Sequence, residues 1–228
     1  TRATHNTTKP RFQVSNAEAW ISTIYTMEAN PHALDSAQDP NEVFEIMEPP
    51  PANFDPYSST PISTASFTTR DVCHKQGLWH CSVHIWIVDT ASSSILLQKR
   101  SMKKDTFPGR WDISSAGHVE KGKSILETAQ CELAEELGIT ANAEELQYAF
   151  TIPAEQTPLG GCNAFEHVYF LHGNSETKMS LGMEEVSGVS WVSASKLLAA
   201  LQNGDDNYAP RTKQYCEAMG SFLKKMLS

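Results

Sequence analysis

Three glutamates close together carry the clearest chemistry in the sequence. Glu132, Glu135 and Glu136 stand at positions i, i+3 and i+4, so on a helix their side chains share one face. Carboxylate oxygens are the hard ligands that Mg²⁺ and Mn²⁺ prefer, and either cation would also bridge to phosphate oxygens of a substrate. The alternative is an acidic face exposed to solvent, where like charges repel one another only weakly. The spacing therefore indicates either a divalent-metal site or an ordinary acidic surface.

Signals at both ends predict the helix that carries these glutamates, over Ile125–Leu137. Ser124 and Glu127 form the S-x-x-E pattern of a capping box, and Gly138 stands where a left-handed residue ends a helix. The apolar residues that predict its buried face are Leu126, Ala129, Leu133 and Leu137.

Basic residues crowd the stretch that leads into this helix, as an anionic substrate would require. The cluster consists of Lys99, Arg100, Lys103, Lys104, Arg110, Lys121 and Lys123. Because a guanidinium binds phosphate oxygens in a forked geometry, Arg100 and Arg110 are the expected phosphate contacts. Lys103 and Lys104 are expected on the solvated surface.

The stretch Gly117–Ile139 resembles the Nudix box, G-x5-E-x7-R-E-U-x-E-E-x-G-U, in which U is a bulky aliphatic residue. The matching positions are Gly117, Glu132, Leu133, Glu135, Glu136, Gly138 and Ile139. The segments WHCSVHIWIVD, LLQKRS, FPGRWDISSAGHV and EEVSGVSWV are similar to the Nudix subgroup related to isopentenyl-diphosphate isomerase. This similarity covers residues 71–211.

The resemblance implies an α/β fold, the Nudix α/β/α sandwich with a mixed β-sheet, and a box that binds Mg²⁺ or Mn²⁺. On this chain Glu132, Glu135 and Glu136 would hold the metal together with the Gly117 carbonyl. Glu135 and Glu136 would carry the catalysis. The implied reaction is hydrolysis of a diphosphate linkage in a nucleoside diphosphate linked to another moiety, or in a similar organic pyrophosphate.

Four further residues are expected near the small-molecule diphosphate substrate. Trp111 and Phe165 are expected to stack on a base, with burial in the core as the alternative. Glu166 and Glu185 are candidates for a later carboxylate that activates water or contacts the substrate. The alternative places both glutamates on the solvent side of a strand or loop.

Two positions of the box depart from the pattern. Lys123 stands where the first Glu belongs, and Cys131 stands where the Arg belongs. Both charges of a bracing pair are absent together, so neither partner is left unpaired. We therefore expect activity that is attenuated, and a catalytically weak Nudix-fold binding protein remains the alternative.

An isopentenyl-diphosphate delta-isomerase is a less favoured alternative. His74, His80 and His118 look like the metal-binding histidines of that enzyme. Its chemistry, however, needs a proton-transferring cysteine just before the Gly–His pair, and Ala116 occupies that position. The positions of its paired glutamates fall near Cys162 and Ala164.

A zinc module is the other rival, built on the pairs Cys73–His74 and His80–Cys81 with His84 and His118. Two adjacent ligands cannot easily face one tetrahedral ion, so the spacing argues against zinc. Histidines on alternating strand positions are more often hydrogen-bonded structural residues.

The remaining elements form the framework around this helix. Strands are predicted at Glu42–Glu48, Val83–Val88, Ile95–Gln98, Tyr148–Pro153, Phe165–Leu171 and Val186–Val192. Further helices are predicted at Ser15–Asn30, Ala194–Gln202 and Thr212–Leu227. The predicted organisation is a partly helical N-terminal extension (1–41), a Nudix domain (42–211) with a Pro/Ser-rich loop at about 49–66, and a C-terminal helix (212–228).

Composition limits the remaining classes of protein. A net charge of -9 disfavours a partner made of nucleic acid, and no apolar run is long enough to predict a membrane span. The cysteines form no C-x-x-C pair, which favours a reducing compartment and predicts a cytoplasmic protein. The basic stretch Thr1–Phe12 leaves an organelle, after removal of a transit peptide, as the alternative. A homodimer is left open.

Overall fold

The computed structural model describes residues 29–228, and the helix predicted at Ser15–Asn30 lies almost wholly outside them. The described chain begins with a small antiparallel sheet of β1 (Val43–Met47) and β2 (Ser63–Thr69). The sequence predicts β1 closely. The Pro/Ser-rich loop, however, is shorter than expected, because residues 63–66 already belong to β2 and pair with β1.

A short helix that the sequence does not predict follows β2 directly. It is α1 (Arg70–Gln76), and it ends at Gly77, whose φ of 63° lies in the left-handed region. Seven residues give too few turns for a helical periodicity to stand out in the sequence. The helix matters for the site because it carries His74.

A seven-stranded mixed sheet forms the middle of the structure. Its strands are β3 (His80–Asp89), β4 (Ser94–Arg100), β5 (Trp111–Asp112), β6 (Ser115–His118), β7 (Gln147–Glu155), β8 (Asn163–His172) and β9 (Val186–Ser193). The order is β5-β4-β3-β8-β7, with β6 also paired to β3 and β9 to β4. β3 and β8 run parallel, and the other pairs are antiparallel.

Helices cover both faces of this sheet and explain why β3 is apolar along most of its length. On one face, Ile85 and Ile87 pack in a core with Leu133 of α2 (Ile125–Leu137). On the other face, Trp86 packs in a second core with residues of α3 (Ala194–Gln202) and α4 (Lys213–Met226). A strand buried on both faces reads as a continuous apolar run. The arrangement confirms the predicted α/β/α sandwich with a mixed sheet.

The helix predicted at the C-terminus packs onto the domain. Tyr215, Met219 and Leu223 of α4 are buried in the same core as Trp86. Tyr215 Oη accepts a hydrogen bond from Trp86 Nε1 at 2.8 Å, which ties the helix to the middle of the sheet. Within residues 29–228, no helix combines the length and the hydropathy that a membrane span requires.

Candidate functional site

The helix α2 is fixed at its N-terminus by the capping box that the sequence predicts. Glu127 N donates to Ser124 Oγ at 3.2 Å, and Ser124 N donates to Glu127 Oε2 at 2.8 Å. At the other end Gly138 adopts φ 66°, a left-handed conformation that glycine adopts without strain. Both ends are therefore defined by local chemistry, and the glutamate face is held in one orientation.

The side chain of Asn30, from the segment before β1, forms hydrogen bonds with the C-terminal end of α2. Asn30 Nδ2 donates to the carbonyl oxygens of Ala134 and Glu135, each at 2.9 Å. Carbonyls in the last turn of a helix have no partner within the helix, so a side-chain amide stabilises them. This contact joins a segment far away in sequence to the backbone of the glutamates.

Glu136 is the most enclosed of the three glutamates, with 1% of its surface exposed. Its Oε2 accepts hydrogen bonds from Ala116 N and from Gln98 Nε2, both at 2.9 Å. Burial raises the pKa of this carboxyl to about 7, against the opposing charge of Lys104. The side chain is therefore held rigidly and is poorly stabilised as an anion.

Glu132 lies directly over Gly117 of β6. A Cβ at position 117 would overlap the Glu132 carboxylate, so the close approach requires glycine there. Burial raises the pKa of Glu132 well above its ordinary value, and the neighbouring carboxylates of Glu136 and Glu185 raise it further. The predicted metal ligands Glu132 and Gly117 are thus in contact.

Glu135 is more exposed and lines the cleft described below. Burial raises its pKa, and the charge of Lys123 opposes that rise. Lys123, one of the two residues that depart from the box pattern, forms an ion pair with Glu120, with Nζ 2.7 Å from Oε1. Burial likewise raises the pKa of the Cys131 thiol, and Lys123 is the main opposing charge.

A fourth carboxylate comes from outside the helix. Glu185, just before β9, is 6% exposed and forms an ion pair with Lys104. Both positions correct the sequence-based alternatives, since neither Glu185 nor Lys104 lies on the solvated surface. The lysine ammonium compensates part of the negative charge, and it lowers the pKa values of Glu132 and Glu136 against the effect of burial.

The donor set fits a divalent cation. Besides burial, the negative charge of Glu185 raises the pKa values of Glu132, Glu135 and Glu136, so the four carboxylates lie close enough to repel one another. Half-buried carboxylates that repel one another are stabilised by a bound cation, and their hard oxygens match the preference of Mg²⁺. Gly117, where any side chain would fill the space, keeps the sheet close to these ligands.

A cleft opens beside the glutamates. Its lining includes Glu132 and Glu135, and also Glu166 and Arg211. Glu166 is 4% exposed, which corrects the alternative that it faces solvent. Burial raises its pKa to about 7, with Arg211 opposing, and its Oε2 has no hydrogen-bond partner among the described residues.

Arg100 borders the cleft, and three of its five N–H donors bind to other parts of the protein. Its Nε donates to the Thr106 carbonyl at 2.8 Å, its Nη2 to Thr106 Oγ1 at 2.9 Å, and its Nη1 to Asp112 Oδ2 at 3.1 Å. Arg211 pairs with the same aspartate. Arg100 therefore braces the loop between β4 and β5 while it lines the cleft, and its role as a phosphate contact stays a prediction.

Three other predicted substrate contacts do not line the cleft. Arg110 points away from it, where Nη1 donates to Tyr208 O at 3.3 Å. Trp111 packs against the core beneath α3 and α4. Phe165, 1% exposed, is buried with Phe54 in a small apolar cluster. Phe165 thus takes the alternative of burial in the core, whereas Trp111 is only partly buried.

Three histidines and a cysteine meet beside the cleft. His74, His80, His118 and Cys162 each offer a ligand atom, and these atoms lie within 4.8 Å of one another. The sequence argues against zinc because adjacent Cys–His pairs cannot share one ion, but only the histidine of each pair belongs to this group. Burial lowers the pKa of His74 to about 4 and that of His80 to about 3.

Comparison with known proteins assigns these features to one family. The model of the NUDIX domain matches residues 78–212. The chain is 35% identical over 164 residues to Nudix hydrolase 3 of Arabidopsis thaliana, a match that covers 69% of this chain and 21% of that protein. It is 35% identical over 143 residues to a Nudix hydrolase of Clostridium acetobutylicum, covering 60% of this chain and 68% of the relative. An isopentenyl-diphosphate Delta-isomerase of Serratia proteamaculans is 32% identical over 127 residues, or 54% of this chain and 67% of the isomerase.

Solved structures share the fold. A protein of Deinococcus radiodurans superposes with a TM-score of 0.55 at 18% identity, covering 79% of this chain and 98% of the other. A MutT protein of Methanosarcina mazei gives a TM-score of 0.50 at 22% identity, covering 66% and 96%. At these identities the likeness concerns the arrangement of strands and helices.

Proposed function

Because the chain belongs to the Nudix family, we propose that it is a hydrolase that uses Mg²⁺ or Mn²⁺ to cleave a diphosphate linkage. The proposed substrates are nucleoside diphosphates linked to another moiety, or similar organic pyrophosphates. The observation that carries the proposal is the group of carboxylates on α2, packed over Gly117 and facing the cleft. The same face without a cleft beside it would be an ordinary acidic surface.

Glu132, Glu135 and Glu136, with the Gly117 carbonyl, would hold the cation. When bound, the cation neutralises charge on the diphosphate oxygens as a Lewis acid. Ala116 N and Gln98 Nε2 hold Glu136 in place, so this carboxylate enters the reaction already oriented.

Glu135 is the proposed proton acceptor. Its carboxylate lines the cleft, and burial raises its pKa, which makes the carboxylate a stronger proton acceptor. Water attacks one phosphorus, the bond from that phosphorus to the bridging oxygen breaks, and a Glu135 oxygen takes the proton of the water. The products are two monophosphates.

The isomerase alternative is not supported by the site. Ala116 donates its backbone N–H to Glu136, but its methyl side chain cannot exchange a proton with a carbon skeleton. The histidines that resemble those of the isomerase are present, whereas the thiol that would transfer the proton is not. We therefore propose hydrolysis in preference to isomerisation, although an isomerase is among the relatives.

The test is an assay of dinucleotide and nucleotide-sugar diphosphates with Mg²⁺, with Mn²⁺ and with a chelator. We expect two monophosphate products with either metal and none with the chelator. Reaction in ¹⁸O-labelled water should place the label in one product, which identifies the phosphorus that is attacked. Tight binding of these compounds without turnover would contradict hydrolysis and support a non-catalytic binding protein.

A further inference from the structure

We propose that His74, His80, His118 and Cys162 bind one Zn²⁺ in a closed structural site, separate from the carboxylates of α2. The four ligand atoms lie within 4.8 Å of one another and come from four parts of the chain. These parts are α1, the start of β3, the end of β6 and the residue before β8. The proposal does not depend on the hydrolase activity.

The distance between the sulfur and one ring nitrogen of the group matches a tetrahedral zinc site. Cys162 Sγ lies 3.6 Å from His118 Nε2. A sulfur about 2.3 Å and a nitrogen about 2.05 Å from one tetrahedral ion would be about 3.6 Å apart. The three imidazole rings surround a common point, because each pair of ring centroids is 5.0 to 5.2 Å apart.

Two of the ring nitrogens lack any other partner. His80 is fully buried, and its Nδ1 lies 3.2 Å from the Leu78 carbonyl, to which an N–H on that atom donates. This contact leaves Nε2 of His80 unprotonated, and within the described residues neither it nor Nε2 of His74 has a hydrogen-bond partner. A buried nitrogen without a partner is costly, and a metal ion satisfies it.

The chemistry of the donors favours zinc over magnesium. Mg²⁺ takes oxygen ligands and keeps several waters, whereas neutral imidazoles and a thiolate are the ligands of structural zinc. The histidines resemble those of the isomerases, but Cys162 stands near the position where the resemblance places one of the paired glutamates of those enzymes. The sulfur at position 162 completes a set of four protein ligands, and four protein ligands characterise a structural site rather than a catalytic one.

Zinc binding requires the side chain of Arg70 to move away from His118. Its Nη1 lies 3.2 Å from His118 Nδ1 and 3.0 Å from Glu42 Oε2. Zinc on His118 Nε2 places a proton on Nδ1, so Arg70 gives up the histidine and keeps the glutamate. An Arg70→Gln variant, whose amide oxygen accepts a hydrogen bond from Nδ1, is therefore expected to retain zinc.

The test is metal analysis of the full chain, purified without a polyhistidine tag and then reconstituted with Zn²⁺ alone. We expect about one zinc per chain, tight enough to survive desalting. Cys162→Ser and His80→Gln should lower zinc affinity by about 100-fold or more, since even the outer partners of a metal ligand cost tenfold or more. His172→Gln and Cys131→Ser are matched controls outside the group and should bind zinc as the wild type does.

Cobalt spectroscopy of the wild-type protein tests the same site without depending on the folding of a variant. Co²⁺ in the wild-type site should give the intense visible absorption of tetrahedral cobalt and a thiolate-to-cobalt charge-transfer band. Cys162→Ser should lose the charge-transfer band. Wild-type protein that takes up no zinc overturns the site. An unchanged zinc affinity and an unchanged charge-transfer band in Cys162→Ser overturn the thiolate ligand.

Discussion

At the scale of single residues, the candidate site is defined by carboxylates that the protein holds in places unfavourable to their charge. Glu136 is buried and accepts hydrogen bonds from Ala116 and Gln98, and Glu166 is buried in the lining of the cleft. For both groups burial raises the pKa to about 7. Such groups cost stability when ionised and therefore indicate a function.

Replacing Glu136 with glutamine should separate function from stability. The amide oxygen can still accept the hydrogen bond from Ala116 N, but the negative charge proposed to hold the metal is gone. We expect kcat to fall by a factor on the order of 10²–10⁴, with a melting temperature that is unchanged or higher. Assays of turnover and thermal unfolding check this. Glu144→Gln, at an exposed position, is the control, and full activity in Glu136→Gln would remove Glu136 from the site.

Replacing Glu166 with glutamine should stabilise the protein at alkaline pH. The pKa in the folded protein is raised from 4.5 to about 7, so ionisation of the buried carboxyl costs stability above its unfolded pKa, fully so above pH 7. We expect a gain of about 1 to 3 kcal/mol in the free energy of unfolding at pH 8, declining as the pH falls through 7 towards 4.5. Urea unfolding across this range measures it. If the variant's gain in the free energy of unfolding did not depend on pH, the pKa of Glu166 would not be raised in the folded protein.

At the scale of elements, hydrogen bonds fix both ends of α2, and their partners come from different parts of the chain. The capping box at its start is local, whereas Asn30 and the segment after β8 satisfy its last carbonyls from far away in sequence. The glutamate face therefore depends on the N-terminal segment. This dependence offers one physical reason why the bracing charges of the Nudix box can be absent.

Two substitutions at Asn30 test that brace. Asn30→Ala removes two donated hydrogen bonds and should destabilise the protein by about 1 to 2 kcal/mol. Asn30→Asp keeps the acceptor for His32 N but sets a negative charge against the carbonyl end of α2, so it should cost more. Chemical denaturation of both variants at pH 7 measures the order. Equal losses would mean that the contact to the carbonyls contributes nothing specific.

The paired departures at positions 123 and 131 form a second test on the same helix. Lys123→Glu breaks the ion pair with Glu120 and adds a carboxylate near Glu135, and Cys131→Arg introduces a long cation at a partly buried site. Each change alone should lower activity and stability. Together they should be non-additive by about 0.5 to 3 kcal/mol, as for residues in contact. A double-mutant cycle measures this, and strict additivity would show that the two positions do not communicate.

At the scale of the whole molecule, local signals predict the elements well and the long-range contacts poorly. The bounds of α2 follow from Ser124, Glu127 and Gly138, and the apolar run of β3 predicts a strand buried on both faces. The glutamates on α2 are likewise predicted, because their spacing alone places them on one face.

The parts that the sequence does not predict depend on tertiary contacts. Lys104 and Asn30 come from loops with no periodicity, and only the folded chain brings them to α2. Glu185 is a candidate from the sequence, but its ion pair with Lys104 is not predicted. The sequence shows that Arg100 is cationic, but not that Asp112 already pairs with it. Cys162 joins the histidines through the pairing of β8 with β3, which places Ala164 beside His80.

If Glu136 holds the cation as proposed, its enclosure also makes metal binding a reaction that exchanges protons with the solvent. A carboxyl with a pKa of about 7 is about half protonated at neutral pH, and it would release that proton on binding a cation. Apparent affinity for Mg²⁺ should therefore rise as the pH increases towards 7 and level off above it. In titration calorimetry near pH 7, the observed heat should change with the ionisation enthalpy of the buffer, and the slope of that dependence counts the protons released.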